Sequence, residues 1–179
     1  MKIIEIKTLR GPNYWSNYRK KLIVMKLDLE QLEELPTNKI DGFDLRLEKL
    51  IPSMIKHRCS KDYAGGFFER VKEGTWIGHV IEHIALEIQT LAGMECGFGR
   101  TRGTGTSGMY HVVFSYMEDN VGTYAAKASV KIAQALVDGT DYDLEADIKL
   151  MRQMREKSRF GPSTGSIVDE AVARDIPYI

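Results

Sequence analysis

The order in which hydrophobic periodicity changes along the chain limits the possible folds more than any other feature. Two segments with strand periodicity come first, several helical segments follow, and a third strand pattern appears only at residues 110–116. Over residues 2–9 the side chains alternate, with Ile4, Ile6 and Thr8 expected on one face and Ile3, Glu5 and Lys7 on the other. Gly11-Pro12-Asn13 breaks this strand, and Tyr14-Trp15-Ser16 opens an aromatic loop. Residues 21–29 read as a second strand, apolar on both sides at its centre, with β-branched Ile23 and Val24 favouring strand over helix.

The spacing then predicts a helix over residues 43–57 with Leu45, Leu47, Leu50, Ile51, Met54 and Ile55 as its apolar stripe. A short helical turn through Phe67, Phe68 and Val71 follows. The strongest helix runs over residues 76–92, with Thr75 as N-cap and Gly93 as its stop. Residues 94–108 are glycine-rich and read as irregular. Further helices are expected over residues 121–137 and 142–157. Few strands with helices gathered between them imply an α+β fold, a mainly antiparallel sheet packed against helices as a two-layer sandwich. A doubly wound sheet would need a regular strand–helix alternation that is absent. Residues 1–160 are expected to form the domain, and 161–179 to be a linker.

Charge and length narrow the function. The 179 residues carry 25 Lys and Arg against 25 Asp and Glu. That balance argues against a general nucleic-acid binder and against a basic membrane-surface protein. No stretch reaches the roughly 18 apolar residues of a membrane span, and the charged N-terminal segment is unlike a signal peptide. Cys59 and Cys96 are too few for a disulfide scaffold and read as thiols of a reducing compartment, so a cytoplasmic protein is expected.

The chemistry is concentrated in Gly78–Glu87, GHVIEHIALE, which contains His79-x-x-Glu82-His83, the H-x-x-E-H pattern. On a helix His79 and His83 project from one face, one turn apart, so both imidazoles can reach one divalent cation, with zinc the expected metal. Glu82 lies beside them, where it could act as general base on a water activated by the metal. A helical wheel assigns Ile77, Val80, Ile81, Ile84, Ile88 and Leu91 to the core face. It puts His79, Glu82, His83 and Gln89 outside the core, and Leu86 among them points to a partly covered cleft. The competing reading is a solvated helix face.

No third ligand is named by spacing. Glu87 continues the ladder, but about 12 Å of helix rise separates it from His79, which suits it better to orienting a ligand than to being one. His111 and Ser115, which share a strand face, are the other candidates, with Glu118 and Asp119 just beyond. Arg100 and Arg102 could pair with carboxylates of a substrate, and Trp15 could offer a stacking platform. Gly103-Thr-Gly105-Thr-Ser-Gly108 spells G-x-G-x-x-G, but no strand is expected before it and a strand, not a helix, follows, so no nucleotide site is read here.

Taken together, TLRGPNYWS (Thr8 to Ser16), KKLIVMKLDL (Lys20 to Leu29), GGFFERVKEGTWIGHVIEHIALEIQTLAG (Gly65 to Gly93), GFGRTR (Gly97 to Arg102) and FGPSTGSIVDEA (Phe160 to Ala171) resemble the N-terminal domain of cyanophycin synthetases. The resemblance covers nearly the whole chain in order. It implies an excised first domain of a longer, homo-oligomeric enzyme, whose ATP-grasp domain couples Asp and whose Mur-ligase-like domain couples Arg. It implies as partners those domains and cyanophycin, a poly-Asp chain carrying Arg. It also implies a metallopeptidase-like site at His79, Glu82 and His83 that cuts polymer into primers; the alternative is a polymer-tethering module with a vestigial site. Many members carry an acidic residue where this chain has Ser115, so an acid that completed the metal site there would be missing. A net charge of zero suits a zwitterionic polymer and implies a mixed-sign, salt-sensitive binding surface.

Overall fold

The fold is that of a computed structural model, which describes residues 1–179 except 20, 159, 160, 175 and 177–179. Four strands form one antiparallel sheet: β1 (Lys2–Arg10), β2 (Lys21–Asp28), β3 (Gly99–Gly103) and β4 (Met109–Ser115), in the order β1-β2-β4-β3. Six α-helices are present among the described residues: α1 (Phe43–Leu50), α2 (Gly66–Glu73), α3 (Ile77–Leu91), α4 (Asp119–Asp138), α5 (Leu144–Ser158) and α6 (Pro162–Ala173). The architecture is the expected α+β sandwich, with α3 and α4 packed on one sheet face.

Strand β2 is central, and its Leu22, Ile23, Val24, Met25 and Leu27 are all buried, so it is apolar on both faces. The inner face, with Ile23, Met25, Leu27, Val112 and Phe114, joins the helices in the main core. The outer face carries a smaller cluster of Trp15, Leu22, Val24 and Val113. Strand β1 departs from simple alternation. A register shift between Ile3 and Glu5 changes which residues face inward. Ile3 therefore joins Ile6 against the core, and Ile4 is left 44% exposed.

Strand β3 was hidden in the stretch read as irregular. Its residues, Gly-Arg-Thr-Arg-Gly, have no apolar alternation to reveal it, because it is an edge strand held by hydrogen bonding to β4. The G-x-G-x-x-G segment joins β3 to β4 as a hairpin loop. A strand does precede it, but an antiparallel strand follows, so no helix N-terminus is presented to a phosphate.

The helix expected over residues 43–57 stops at Leu50. Pro52 lacks an N–H and restricts the residue before it, and Ile51 is held at φ −130°, ψ 67°. A 3-10 turn, Pro52–Lys56, then leads to His57 in extended conformation. Leu47, Ile51 and Met54 are buried, whereas Leu45 and Ile55, assigned to the stripe, are 65% and 47% exposed. This break steers the chain across the face of α3.

Helix α3 begins and ends close to expectation. The N–H groups of Gly93 and Met94 return to the carbonyls of Thr90 and Gln89, closing its last turn. At the other end Trp76 occupies the N-cap position without a side-chain cap, and the Thr75 hydroxyl serves His79 instead. Twelve of the fifteen residues of α3 are buried, including Glu82, His83, Glu87 and Gln89. The wheel's outer side is thus largely covered: the sheet, α4, α2 and the segment after Pro52 pack around the helix, leaving Thr90 exposed and His79 half-buried at a cleft. The stretch read as a linker contains α6, opened by Pro162 at a position that tolerates a missing N–H. The boundary residue itself, 160, lies outside the described residues.

Candidate metal centre

Three of the chain's four histidines and one of its two cysteines meet on α3. His79 and His83 are held at i,i+4 as the motif requires, and their Nε2 atoms are 3.1 Å apart. Cys59, delivered by the segment beyond Pro52, brings its Sγ to 3.4 Å from His79 Nε2. Cys59 has φ +51°, a conformation that costs a non-glycine residue on the order of 1–3 kcal/mol and is typically retained where a site needs it. The segment is pressed onto the start of α2, where a Cβ at Gly66 would lie 2.5 Å from the Arg58 carbonyl oxygen. Lys61 also reaches Glu73 and Glu69 of α2, at 2.6 and 3.2 Å.

Potential ligand atoms of Cys59, His79 and His83 all lie within 4.8 Å of one another. The far nitrogens of both rings are engaged: His79 Nδ1 is 2.9 Å from Thr75 Oγ1, and His83 Nδ1 is 2.8 Å from His57 Nδ1. Burial, with the charge of Arg70, lowers His79 to about 4. Burial, with the neighbouring His79 and His57, holds His83 well below the usual imidazole range. Both rings are therefore neutral at pH 7, and Nε2 atoms that carry no hydrogen would point lone pairs at a shared space. One sulfur and two imidazole nitrogens are a donor set that fits zinc, with further positions open to water or substrate. Phe67 floors the cluster, stacked on His83 with ring centroids 4.1 Å apart.

Glu82 lines the same cleft but belongs to a different arrangement. Its Oε2 lies 2.6 Å from the Thr101 hydroxyl of β3. Oε1 lies against Gly99, where a Cβ would come within 2.3 Å of it, so the glycine keeps that space open for the carboxyl group. Burial pushes Glu82 up to about 7, against opposing effects from the Thr101 hydrogen bond and the Arg100 charge. A carboxyl group in that range can both take and return a proton near neutrality.

The cleft has a volume of about 620 Å³, and Lys56, Arg58 and Arg100 stand exposed at its walls. A second chamber of about 290 Å³, with Arg70, Trp76 and Tyr110 in its walls, shares Cys59, His79 and Thr101 with the first. The candidate centre thus lies where two chambers meet.

Other residues singled out from sequence lie elsewhere. His111 faces the outer side of the sheet, edge-on to Trp15 with centroids 5.6 Å apart, and is separated from the cluster by the sheet itself. Trp15 is buried in that outer cluster, so it offers no platform; the solvent-exposed rings of that loop are Tyr14 and Tyr18, at 83% and 90%. Arg102 pairs in register with His111 and does not line either chamber. Ser115 Oγ accepts from the Phe98 N–H and takes no part in the cluster. Glu87 stands behind it, its Oε2 2.7 Å from His57 Nε2.

Cys59 and His57 were missed from sequence. The signal available was Pro52, which forbids the helix expected to run on to His57 and so redirects the segment that carries His57 and Cys59. Cys96 also lines the cleft, but burial raises its thiol to about 11, which disfavours the thiolate near neutrality.

The sequence model of the cyanophycin synthase-like N-terminal domain matches residues 24–138. The chain is 52% identical over 182 aligned positions to a cyanophycin synthetase of Synechocystis sp.. It is 50% identical, over the same length, to those of Crocosphaera subtropica and Geminocystis herdmanii. Each alignment covers 100% of this chain and 21% of the relative, so the chain spans about a fifth of the length of these curated relatives.

Proposed function

This chain belongs to the cyanophycin synthase-like N-terminal domain family, and on that premise we propose that it binds cyanophycin and hydrolyses it to primers for ATP-dependent synthesis by a cyanophycin synthetase. The observation that carries the reading is the convergence of Cys59, His79 and His83 in a cleft that also holds Glu82. Cys59 and the two histidines would hold a divalent metal, with zinc favoured by the donor set. When bound, such an ion supplies a Lewis acid for an amide carbonyl and lowers the pKa of water.

The chain's own residues do the rest. Glu82 takes the proton from the attacking water and returns it to the departing amine, while Thr101 fixes the carboxyl group from β3. Arg58, Lys56 and Arg100 give one chamber a positive wall, suited to the free carboxylates of the Arg-bearing polymer. The second chamber supplies Trp76, 41% exposed, and Tyr110 on the other side of the centre. Room on both sides supports cutting within the chain rather than only at its end. Two free thiols suit the reducing cytoplasm as its location; among the described residues no helix is long and apolar enough to cross a membrane.

The test is a time course of the chain incubated with cyanophycin, with product length resolved, alone, with chelator, and after zinc is restored. Hydrolysis that stops with chelator and returns with zinc is the expected result, with mid-length products appearing early. Binding of the polymer without any cleavage under all three conditions would instead favour the tethering module.

A further inference from the structure

We propose that His57 and Glu87 form a relay that fixes His83 as a metal ligand, making both of them positioning residues of the centre. The inference rests on the metal-binding reading of Cys59, His79 and His83 above. Two short, partly buried contacts lie in series: His83 Nδ1 to His57 Nδ1 at 2.8 Å, and His57 Nε2 to Glu87 Oε2 at 2.7 Å. The side chains of His57 and Glu87 are only 17% and 6% exposed.

With one hydrogen on each ring, the direction of this chain is forced. The ionised Glu87 carboxylate can only accept, so the hydrogen of His57 sits on Nε2 and points at it. His57 Nδ1 is then bare and accepts from Nδ1–H of His83. That leaves His83 Nε2 bare, and Nε2 is the atom that faces His79 Nε2 and the shared space. The reverse direction would set a bare His57 nitrogen against the carboxylate and put a hydrogen where a ligand needs its lone pair. One carboxylate, acting through one imidazole, thus selects the ligating tautomer of a second imidazole.

The two ligands are supported unequally. His79 is oriented by a neutral hydroxyl, Thr75 Oγ1, at 2.9 Å, whereas His83 is backed by a negative charge two steps away. Glu87 is itself held ionised. Burial pushes it upward, but hydrogen bonds from His57 and Ser53 and the nearby charge of Lys56 outweigh that and bring it below the usual range. The relay also explains the helix ladder: His79, His83 and Glu87 occupy successive turns of α3, and His57 bridges the last two. A direct contact was never needed for Glu87 to serve the centre.

The test measures Zn²⁺ affinity of the purified chain by competition with a chromophoric chelator, and the visible absorption of the Co²⁺-loaded chain. Glu87→Gln keeps the shape and removes the charge; it is expected to weaken Zn²⁺ binding about 10–100-fold and to shift the Co²⁺ bands. His57→Ala should do the same, and His57→Gln replaces it if the alanine variant does not fold. Wild-type affinity and an unmoved Co²⁺ spectrum in Glu87→Gln and the His57 variant, with Cys59→Ser losing the metal, would overturn the relay and leave the centre standing. A wild-type chain that takes up no Zn²⁺ would overturn both.

Discussion

The two faces of the sheet meet different fates. The inner face is covered by α3, and there Thr101 of β3 reaches Glu82. The outer face, one residue away in either direction, holds Arg102 on the same strand and His111 and Val113 on β4, closed over by the Trp15 loop. Successive strand residues point to opposite sides, so a position shift of one separates a residue that touches the candidate centre from one that cannot. Residue type is a poor guide here: the inner contributor from β3 is a threonine, while the more suggestive histidine, arginine and tryptophan serve the outer side. Arg100 shares the outer parity but borders the cleft beside Gly99, because β3 is an edge strand that begins there.

Substitutions on the two faces should therefore give separable effects. The largest is expected for Glu82→Gln on the inner side, a fall of roughly 10²–10⁴-fold in cyanophycin hydrolysis with Zn²⁺ uptake retained; cleavage at the parent rate would remove Glu82 from the chemistry. Trp15→Ala, on the outer side, should lower stability by about 3–5 kcal/mol in a denaturant titration, while hydrolysis per folded molecule stays unchanged. Cys59→Ser should abolish the rise in stability, about 2.7 kcal/mol at a zinc concentration 100 times the dissociation constant, that thermal unfolding of the parent chain is expected to show. Gly99→Ala places a methyl group against the Glu82 carboxyl group, and roughly 10–100-fold slower hydrolysis is expected without metal loss. Smallest of all, Arg102→Ala and His111→Ala should leave Zn²⁺ affinity unchanged and stability within about 0.5 kcal/mol. Loss of zinc in His111→Ala would break the division between faces.

Much of the candidate centre was legible because α3 is. Its H-x-x-E-H spacing, its apolar stripe and Gly93 are local patterns, and each corresponds to a feature of the helix. Glu87 was legible as a residue too distant to share an ion with His79, and it does stand behind the cluster. His57 was not legible as its bridge, since it reaches His83 across 26 positions of chain. The burial of Glu82 and His83 was equally hidden. A wheel shows which residues share a side of α3 but not that neighbouring elements bury most of both sides. In β1, one bulge reversed the alternation that periodicity predicted, exposing Ile4 and packing a half-buried Ile3 against the core.

Local order needs only neighbours in sequence: a 3.6-residue turn puts His79 above His83 and Glu82 beside them in any setting where that helix forms. The class of fold, the antiparallel bias and the pair of histidines follow from such short-range rules. Convergence across distance does not. Cys59 joins the histidines because Pro52 ends one helix and the following segment packs on α2, and His111 is kept away because strand register places it on the far face. Those outcomes depend on how separate elements bury one another's surfaces, and that packing also moves the ionisation of His79 and Glu82 away from their ordinary values.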